Sequence, residues 1–349
     1  MGYTTPIPCR TVEIYAAGQD GKEPKMKTYV FGAGASLHVG YPLAKCMGHG
    51  LFAWMDGHED IGPFSFRQTA IFLRDHFQET EDIENLITAI EEMIARHPVI
   101  GQRPNEVVHL CNCHKPTLIA AIRMWFEEIR VCEAIDYERF ARDIVAPGDC
   151  VLTFNYDVSL EPHMKNHGKW RLGDGYGFSM EGFENQSPVK VLKLHGSVNW
   201  RFPVGWNGRP WIDSSEIAFL GYPGCADSLY SGPIADTQRT MILPARCKQF
   251  YSQTSLGPLH KEFWDSLWFQ AARGLQRSDD VLICGYSLPE FDQRACDLLI
   301  NENYLASIEV CCGGDTQRVV ERLRSSGRDA HAAEERHFDH WLNKRLSAG

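Results

Sequence analysis

The sequence predicts an α/β fold, a doubly wound parallel sheet with an inserted helical subdomain. Short apolar, β-rich segments alternate with helical patterns near both ends of the chain. Four of these segments run directly into turns that are rich in Gly or polar residues. The long stretch between the first two segments has helical spacing instead. Alternating strands and helices are typical of a parallel sheet that is covered on both faces.

The predicted sheet core comprises residues 27–44 and 149–315. Its strands are expected at five apolar segments: Lys27 to Phe31, Cys150 to Thr153, Val189 to Leu194, Asp280 to Cys284 and Ser307 to Cys311. The first helix is expected to start near Ser36, after a Gly-rich turn. Further helices are predicted over Leu259 to Leu275 and Pro289 to Asn301.

The segment 45–148 is predicted to form a helical insertion after the first strand. In residues 82–96, apolar side chains spaced three or four apart share one helical face: Ile83, Leu86, Ile87, Ile90 and Ile94. A second helical pattern covers residues 116–145. Residues 316–349 are predicted to form a charged helical tail. We interpret residues 1–349 as a single domain.

The composition of the chain argues against two classes, nucleic-acid-binding proteins and membrane proteins. Hydrophobic residues make up 44% of the 349, which is ample for a packed core. A formal net charge of −10 argues against a broad nucleic-acid-binding face. Because the chain shows no run of about 18 apolar residues and no secretory signal, we expect a cytoplasmic protein with reduced cysteines. The segment 200–258, rich in Gly, Pro and Trp, predicts loops and short strands.

Four turns that follow predicted strands form the candidate functional site. They are Gly32-Ala33-Gly34-Ala35-Ser36, Thr153-Phe154-Asn155-Tyr156-Asp157, Leu194-His195-Gly196-Ser197 and Gly285-Tyr286-Ser287. The carboxyl ends of parallel strands meet at one edge of the sheet, and open α/β sheets bind ligands in the crevice beyond that edge. We therefore expect the four turns to line one cleft.

The Gly-rich turn favours phosphate binding. Without a Cβ, Gly32 and Gly34 let the backbone approach a pyrophosphate near a helix N-terminus, and Ser36 adds a hydroxyl. An ordinary strand–helix turn explains the same residues about equally well. The dinucleotide fingerprint of dehydrogenases is incomplete, because Leu37 occupies the position of its third glycine.

Polar side chains of the second and third turns suit a ribose and an acid–base step. Asn155 and Asp157 can bind ribose hydroxyls, although an Asx-turn that caps the next helix is the commoner use of such residues. His195 has a suitable side chain for a general base near neutral pH. With 14 histidines in the chain, a buried structural histidine is the alternative at this position.

Together, the turns resemble the motifs of the Sir2 (sirtuin) superfamily, and more closely its SIR2-like branch of bacterial anti-phage proteins. The family's Gly-Ala-Gly-x-Ser, followed three residues later by Gly-x-Pro, is matched by Gly32 to Ser36 and Gly40-Tyr41-Pro42. Its Thr-x-Asn-x-Asp, His-Gly and Gly-x-Ser motifs are matched, in the same order, by Thr153, Asn155, Asp157, His195-Gly196, Gly285 and Ser287.

The resemblance implies a Rossmann-like NAD⁺ site in which NAD⁺ is the substrate. Asn155 would hold the ribose and a water molecule, and His195 would be the catalytic base. The other contacts with NAD⁺ would come from Gly32, Ala33, Gly34, Ser36, Pro42, Asp157, Gly285, Tyr286 and Ser287. The implied reaction cleaves the nicotinamide–ribose bond through an oxocarbenium-like state and gives nicotinamide and ADP-ribose.

Departures from the family pattern favour water over an acyl-lysine as the second substrate. The two Cys-x-x-Cys pairs of deacylating sirtuins are missing after His195, so neither a zinc ribbon nor bound zinc is expected. Leu43-Ala44-Lys45 replaces their Asp-Phe-Arg. The dense group Cys111-Asn112-Cys113-His114 lacks usual zinc spacing. Two alternatives stay open: a non-catalytic regulatory module that binds NAD⁺ or ADP-ribose, and a zinc-free NAD-dependent protein deacylase.

The resemblance also implies a biological role in anti-phage defence, where depletion of NAD⁺ stops an infected cell. Such an enzyme must stay inactive until it is triggered. We therefore expect a homo-oligomer, or a protein activator such as a co-encoded HerA-like ATPase or short Argonaute. Direct nucleic-acid binding and membrane association are not expected.

Overall fold

The computed structural model describes residues 25–61, 64–77, 81–96, 106–129, 134–178, 186–201, 211–212 and 258–348. A six-stranded sheet lies at its centre, and every neighbouring pair of its strands is parallel. Its strands are β1 (Lys27–Phe31), β2 (Cys150–Thr153), β3 (Lys190–Lys193), β6 (Asp280–Cys284), β7 (Ser307–Cys311) and β8 (Ala330–Ala332). The two-residue strands β4 (Trp200–Arg201) and β5 (Trp211–Ile212) form a separate antiparallel pair.

The strand order is β3-β2-β1-β6-β7-β8, so the sheet grows outward from β1 in both directions. The predicted doubly wound parallel α/β fold is thereby confirmed. Register pairs Phe31 of β1 with Cys284 of β6, and the turns that follow these two strands leave the sheet side by side. The strand order reverses between β1 and β6, which is the place where open α/β sheets bind ligands.

Helices fill the connections between the strands. The α-helices of the described residues are α1 (Met47–Gly57), α2 (Phe66–Phe77), α3 (Ile83–Arg96), α4 (Glu106–Glu128), α5 (Ile135–Arg139), α6 (Glu161–Asn166), α7 (Leu172–Gly175), α8 (Pro258–Arg277), α9 (Gln293–Cys296), α10 (Thr316–Ser325) and α11 (Phe338–Ser347). Helices α1 to α5 all lie between β1 and β2. None of the helices described here is long and apolar enough to cross a membrane.

The helices between β1 and β2 have their own apolar interior, which is continuous with the core at the sheet. In α3, the face predicted from spacing is buried at Ile83, Leu86, Ile87 and Ile90. At the other end of the chain, Phe338 of α11 packs against the aromatic rings of Phe31, Tyr137 and Phe140. Burial of these large apolar side chains stabilises the fold by about 1.5–3 kcal/mol for each.

Three expectations need correction. A 3₁₀-helix over Ala33–Val39 follows β1, in place of a helix that starts near Ser36. Helix α4 begins at Glu106, well before the predicted start at residue 116, and ends at Glu128.

The third correction concerns the tail 316–349, for which the sequence predicts a charged helical tail beyond a sheet core that ends at residue 315. It contains β8, which pairs with β7, so the sheet extends to Ala332. Strand β8 has three residues, and only Ala330 is buried, so no apolar run marks it in the sequence.

The predictions of loops and short strands for 200–258 fall largely outside the described residues.

Acid is expected to destabilise the fold through His38. Its ring packs against Tyr137 and Phe338, and burial lowers its pKa from the ordinary value of 6.5. The unfolded chain therefore takes up the proton first, so stability is full above about pH 6.5 and falls as the pH drops towards the native pKa. Urea unfolding at pH 8 and pH 5.5 should show a smaller pH dependence for His38→Phe than for the wild type. Replacing the exposed His340 by Phe is the control and should leave the pH dependence of stability as in the wild type. Equal pH dependence in the wild type and in His38→Phe would contradict the prediction.

Candidate functional site

A cleft of about 430 Å³ opens at the carboxyl ends of the strands, where all four turns meet. Its volume lies in the range of small-molecule sites, about 300–1,000 Å³. The cleft brings together nearly all of the site residues named from the sequence: Ala33, Gly34, Ser36, Pro42, Asn155, Asp157, His195, Gly285, Tyr286 and Ser287. Gly32 lies behind the lining. Its N–H donates to the Cys284 carbonyl at 3.0 Å, which ties the first turn to β6.

Ser36 is the point at which three parts of the chain are joined. Its hydroxyl donates to Asp157 Oδ2 at 2.9 Å and accepts from Asn155 Nδ2 at 3.0 Å. The Tyr137 hydroxyl lies 2.9 Å from the same oxygen and also contacts the Ala35 carbonyl at 3.1 Å. Ser36 is fully buried, so these bonds are shielded from water and fix the turns after β1 and β2 against each other.

The orientation of the Asn155 amide is determined by its partners. Its Nδ2 donates to the Gly32 carbonyl at 3.0 Å as well as to Ser36, and a carbonyl oxygen can only accept. Both amide protons are therefore used within the protein. The side-chain oxygen Oδ1 is left as the atom that can accept a hydrogen bond from a water molecule or a ribose hydroxyl.

Asp157 serves the architecture of the turn. Its Oδ1 accepts from the Ser159 N–H at 3.1 Å, which is the Asx-turn considered from the sequence, and its Oδ2 accepts from Ser36. The side chain is buried. Asp157 thus holds the second turn in shape, and a contact with a ribose would use its remaining lone pairs.

The glycines of the first and fourth turns allow the two turns to touch. Gly285 has φ 64°, and a Cβ there would lie 2.1 Å from the Ala35 nitrogen. A Cβ on Gly32 would lie 2.6 Å from the Gly285 carbonyl oxygen. The Gly34 N–H donates to the Gly285 carbonyl and the Ala35 N–H donates to the Gly32 carbonyl, so both amides are bonded within the protein.

Gly285→Ala is expected to separate these turns and to destabilise the protein by more than about 1–3 kcal/mol, because strain at positive φ adds to a backbone clash. Urea unfolding measures this loss. The matched control is Gly168→Ala, since Gly168 has φ 67° and a Cβ there would meet no atom within 4 Å. Equal losses in the two variants would show that close approach of the turns contributes nothing.

His195 is buried and paired with a carboxylate that the sequence did not single out. Its Nε2 lies 3.2 Å from Asp292 Oδ2, and the two side chains are 6% and 2% exposed. The Tyr286 hydroxyl donates to the same Asp292 oxygen at 2.8 Å. Burial, and then the nearby Asp292 carboxylate, raise the pKa of Tyr286 well above its usual value, so its hydroxyl keeps its proton. The ring of Phe154 stacks on Tyr286 at 4.0 Å and meets His195 edge-on.

Sequence reasoning missed several residues of the cleft and its first neighbours. Asp292 lies in a loop before α9, Tyr137 lies on α5, and Glu84 lies on α3. Asp292 and Glu84 line the cleft directly, and Tyr137 supports it from below through Ser36. None of the three belongs to a local motif, so no sequence signal marked them.

A buried ion pair lies under the second and third turns. Lys193 Nζ donates to the Asp157 carbonyl and lies 3.2 Å from Glu161 Oε1. The Tyr176 hydroxyl donates to the same Glu161 oxygen at 3.1 Å and accepts from Asn199. Burial raises the pKa of Glu161, while the Lys193 ammonium opposes that rise. This network joins the turn after β2 to the turn after β3.

The Cys312 thiol of the cleft is a poor nucleophile, and the described residues show no cluster of metal ligands. Cys312 lines the cleft, but burial raises the pKa of its thiol to about 12, so it is protonated at neutral pH and a poor nucleophile. Within the same residues, no group of three or more His, Cys, Asp or Glu side chains could hold a metal ion.

Comparison with known proteins finds likenesses among solved structures. No protein-family model matches the chain, and no curated protein matches it. One solved structure that matches is described as "Structural Basis for the Mechanism and Regulation of Sir2 Enzymes"; the match covers 93% of this chain and 92% of the other. The two are 13% identical and the TM-score is 0.41. At this level of similarity, functional inference rests on the residues of the cleft.

Proposed function

We propose that the protein is an NAD⁺ hydrolase, which cleaves the nicotinamide–ribose bond to give nicotinamide and ADP-ribose. The observation that carries the proposal is that two oriented side chains, Asn155 and His195, line the same cleft. Asn155 is locked with both amide protons bonded internally, and His195 is buried against Asp292. A site that only binds a nucleotide needs neither feature, whereas a site that directs water at a ribose carbon can use both.

The position of the cleft supports a dinucleotide ligand. The turns after β1 and β6 flank the reversal of strand order, and two cationic side chains, Lys45 and Arg336, line the same cleft and can face phosphates. The sequence motifs that resemble those of the Sir2 superfamily fall on these same turns. We assign the pyrophosphate to the first turn and the adenosine half to Gly285, Tyr286 and Ser287.

In the proposed reaction, the C–N bond to nicotinamide breaks and its electron pair returns to the ring nitrogen. Because that ring is cationic in NAD⁺, nicotinamide leaves as a neutral molecule and needs no general acid. Water adds to the ribosyl cation, with one of its protons held by Asn155 Oδ1 and the other taken by His195 and passed to solvent. The balance is NAD⁺ and water giving nicotinamide, ADP-ribose and a proton.

Charge in the cleft favours such a transition state. Carboxylates outnumber cations in its lining, where Glu84, Asp157, Asp292 and Asp315 are found. Fixed negative charge and oriented dipoles in a partly buried site stabilise a developing oxocarbenium ion. The buried Cys312 thiol is a poor competitor of water as a nucleophile, since burial keeps it protonated.

Incubation of purified protein with NAD⁺ in water enriched in ¹⁸O tests the proposal. We expect loss of NAD⁺, release of nicotinamide, and one ¹⁸O atom in the ADP-ribose. Binding of NAD⁺ without cleavage, in the presence of candidate activators, would replace the proposal with the regulatory-module alternative. Nicotinamide release that depends on an acyl-lysine peptide would replace it with a deacylase.

We further propose, on the sequence resemblance, that this activity serves anti-phage defence and is switched on by oligomerisation or by a co-encoded partner. Expression in a bacterial host should reduce plaque formation and lower cellular NAD⁺ only after infection. Light scattering after size exclusion, with and without the neighbouring gene's product, tests the assembly. A protein that is monomeric under both conditions would contradict it.

A further inference from the structure

One cationic side chain of the cleft is left for a ligand. Arg336 lines the cleft and is exposed, and its guanidinium forms no ion pair or hydrogen bond with any of the described residues. Its backbone is held, because the Arg336 carbonyl accepts from the Gly313 N–H at 2.7 Å in the turn that follows β7. The planar donors of a guanidinium match the oxygens of a phosphate, so Arg336 suits an anionic group of a bound molecule.

The segment that carries Arg336 runs along the side of the cleft that we assign to adenosine. After β8, the Ala333 N–H donates to the Val310 carbonyl of β7 at 2.8 Å, and Phe338 then packs on Phe31 of β1. Strand β7 lies beside β6, whose following turn is assigned to the adenosine half. The turns assigned to the nicotinamide ribose follow β2 and β3, on the other side of β1. Arg336 is therefore placed at the adenine ribose.

The carboxylate at this end of the cleft is already paired. Asp315 lines the cleft after β7, but Arg318 on α10 donates to its Oδ1 through Nε at 3.1 Å, and Nη2 lies 3.1 Å from the same oxygen. Nη2 also donates to the Ser287 carbonyl at 2.7 Å, which holds Arg318 in place. In dinucleotide folds, an Asp or Glu binds the ribose 2′-hydroxyl of NAD⁺, whereas an arginine accommodates the 2′-phosphate of NADP⁺. With Asp315 paired and Arg336 available, the charge favours the phosphate.

We propose that Arg336 binds a phosphate on the 2′-oxygen of the adenine ribose, so that the cleft takes NADP⁺ in preference to NAD⁺. The inference rests on the proposed function for the place of the adenosine half, and it names the phosphorylated dinucleotide as the preferred substrate. The 2′-phosphate is remote from the nicotinamide–ribose bond, so the chemistry is the same. NADP⁺ and water give nicotinamide, ADP-ribose 2′-phosphate and a proton.

Binding of two ligands that lack nicotinamide tests the inference apart from catalysis. ADP-ribose and ADP-ribose 2′-phosphate differ only in the 2′-phosphate, and neither carries the bond that the enzyme would cleave. Titration calorimetry with the full-length protein should give a Kd about 10- to 100-fold lower for ADP-ribose 2′-phosphate, as expected for hydrogen bonds to a charged group. Arg336→Gln should remove this preference and leave the Kd of ADP-ribose nearly unchanged. Equal Kd values for the two ligands in the wild type would overturn the inference.

Arg277→Gln is the matched control for the loss of one positive charge. Arg277 is exposed in the last turn of α8, just before β6, and so lies at the edge of the sheet opposite the cleft. This variant should keep the preference for ADP-ribose 2′-phosphate. Urea unfolding checks that Arg336→Gln is as stable as the wild type, which is expected because the exposed side chain has no partner to lose. If Arg336→Gln weakened both ligands by the same factor, its guanidinium would serve the pyrophosphate and the inference would be wrong.

Cleavage assays separate this inference from the proposed function. In an active enzyme, kcat/KM should be about 10- to 100-fold higher for NADP⁺ than for NAD⁺, and Arg336→Gln should abolish the difference mainly through KM. Cleavage of NAD⁺ without a preference for NADP⁺ would overturn the inference and leave the hydrolase standing. Preferential binding of ADP-ribose 2′-phosphate by a protein that cleaves neither dinucleotide would overturn the hydrolase and support the inference.

Discussion

Replacement of Asn155 with alanine is expected to lower kcat for NAD⁺ cleavage by about 10²–10³-fold, which is typical for the loss of one oriented hydrogen-bonding group in a preorganised site. The oxygen Oδ1 would no longer orient the attacking water. A steady-state assay that follows nicotinamide release gives kcat and KM separately. We expect the loss in kcat because the contact is made to the water and to the reacting ribose.

The same substitution removes the two donors to Gly32 and Ser36, which should cost about 1–3 kcal/mol of stability. Urea unfolding therefore accompanies the assay, and activity is compared at a temperature where both proteins are folded. Asn301→Ala, an exposed asparagine outside the cleft, is the control and should retain activity. Undiminished turnover in Asn155→Ala would rule out this residue's assigned role.

Lys193→Met is expected to destabilise the protein by about 3–5 kcal/mol, because it leaves the carboxyl of Glu161 buried without its cation. Both side chains are almost fully buried, at 1% and 2% exposed. The Asp157 carbonyl also loses its donor, so the turn that carries Asn155 loosens. Urea denaturation of the two proteins at pH 7 gives the difference in free energy of unfolding.

A double-mutant cycle identifies the cause of that loss. Glu161→Gln should destabilise the wild type but stabilise Lys193→Met, because in the variant it removes an uncompensated buried charge while an oxygen remains for Tyr176. The exposed pair of Lys344 and Glu334 supplies the control, and Lys344→Met should cost less than about 1 kcal/mol. If Glu161→Gln destabilised both backgrounds equally, the buried-charge explanation would be wrong.

Those parts of the fold that have a local sequence pattern could be predicted from the sequence. Apolar runs marked five strands of the sheet, and the periodicity of Ile83 to Ile94 marked the buried face of α3. Strand β8 escaped prediction because an edge strand of three residues needs no apolar run. The helix after β1 was predicted too late along the chain, since the Gly-rich turn winds directly into a 3₁₀-helix at Ala33.

The sequence by itself determined which turns would meet, because the carboxyl ends of parallel strands share one edge of a sheet. It also identified the chemical groups on those turns, including Asn155 and His195. It could not identify their partners, since Ser36 bonds to Tyr137 across 101 positions and Asn155 bonds to Gly32 across 123.

Only the tertiary structure decided what each polar group does. In the folded protein, both amide protons of Asn155 are hydrogen-bonded to Gly32 and Ser36. The glycines of the first and fourth turns lie in direct contact. Asp292 lies beside His195 and accepts a hydrogen bond from Tyr286. These outcomes depend on burial, which removes water as a competing partner and makes each hydrogen bond and charge count more than it does on the surface. Burial is a property of the assembled fold and is not encoded at any single position.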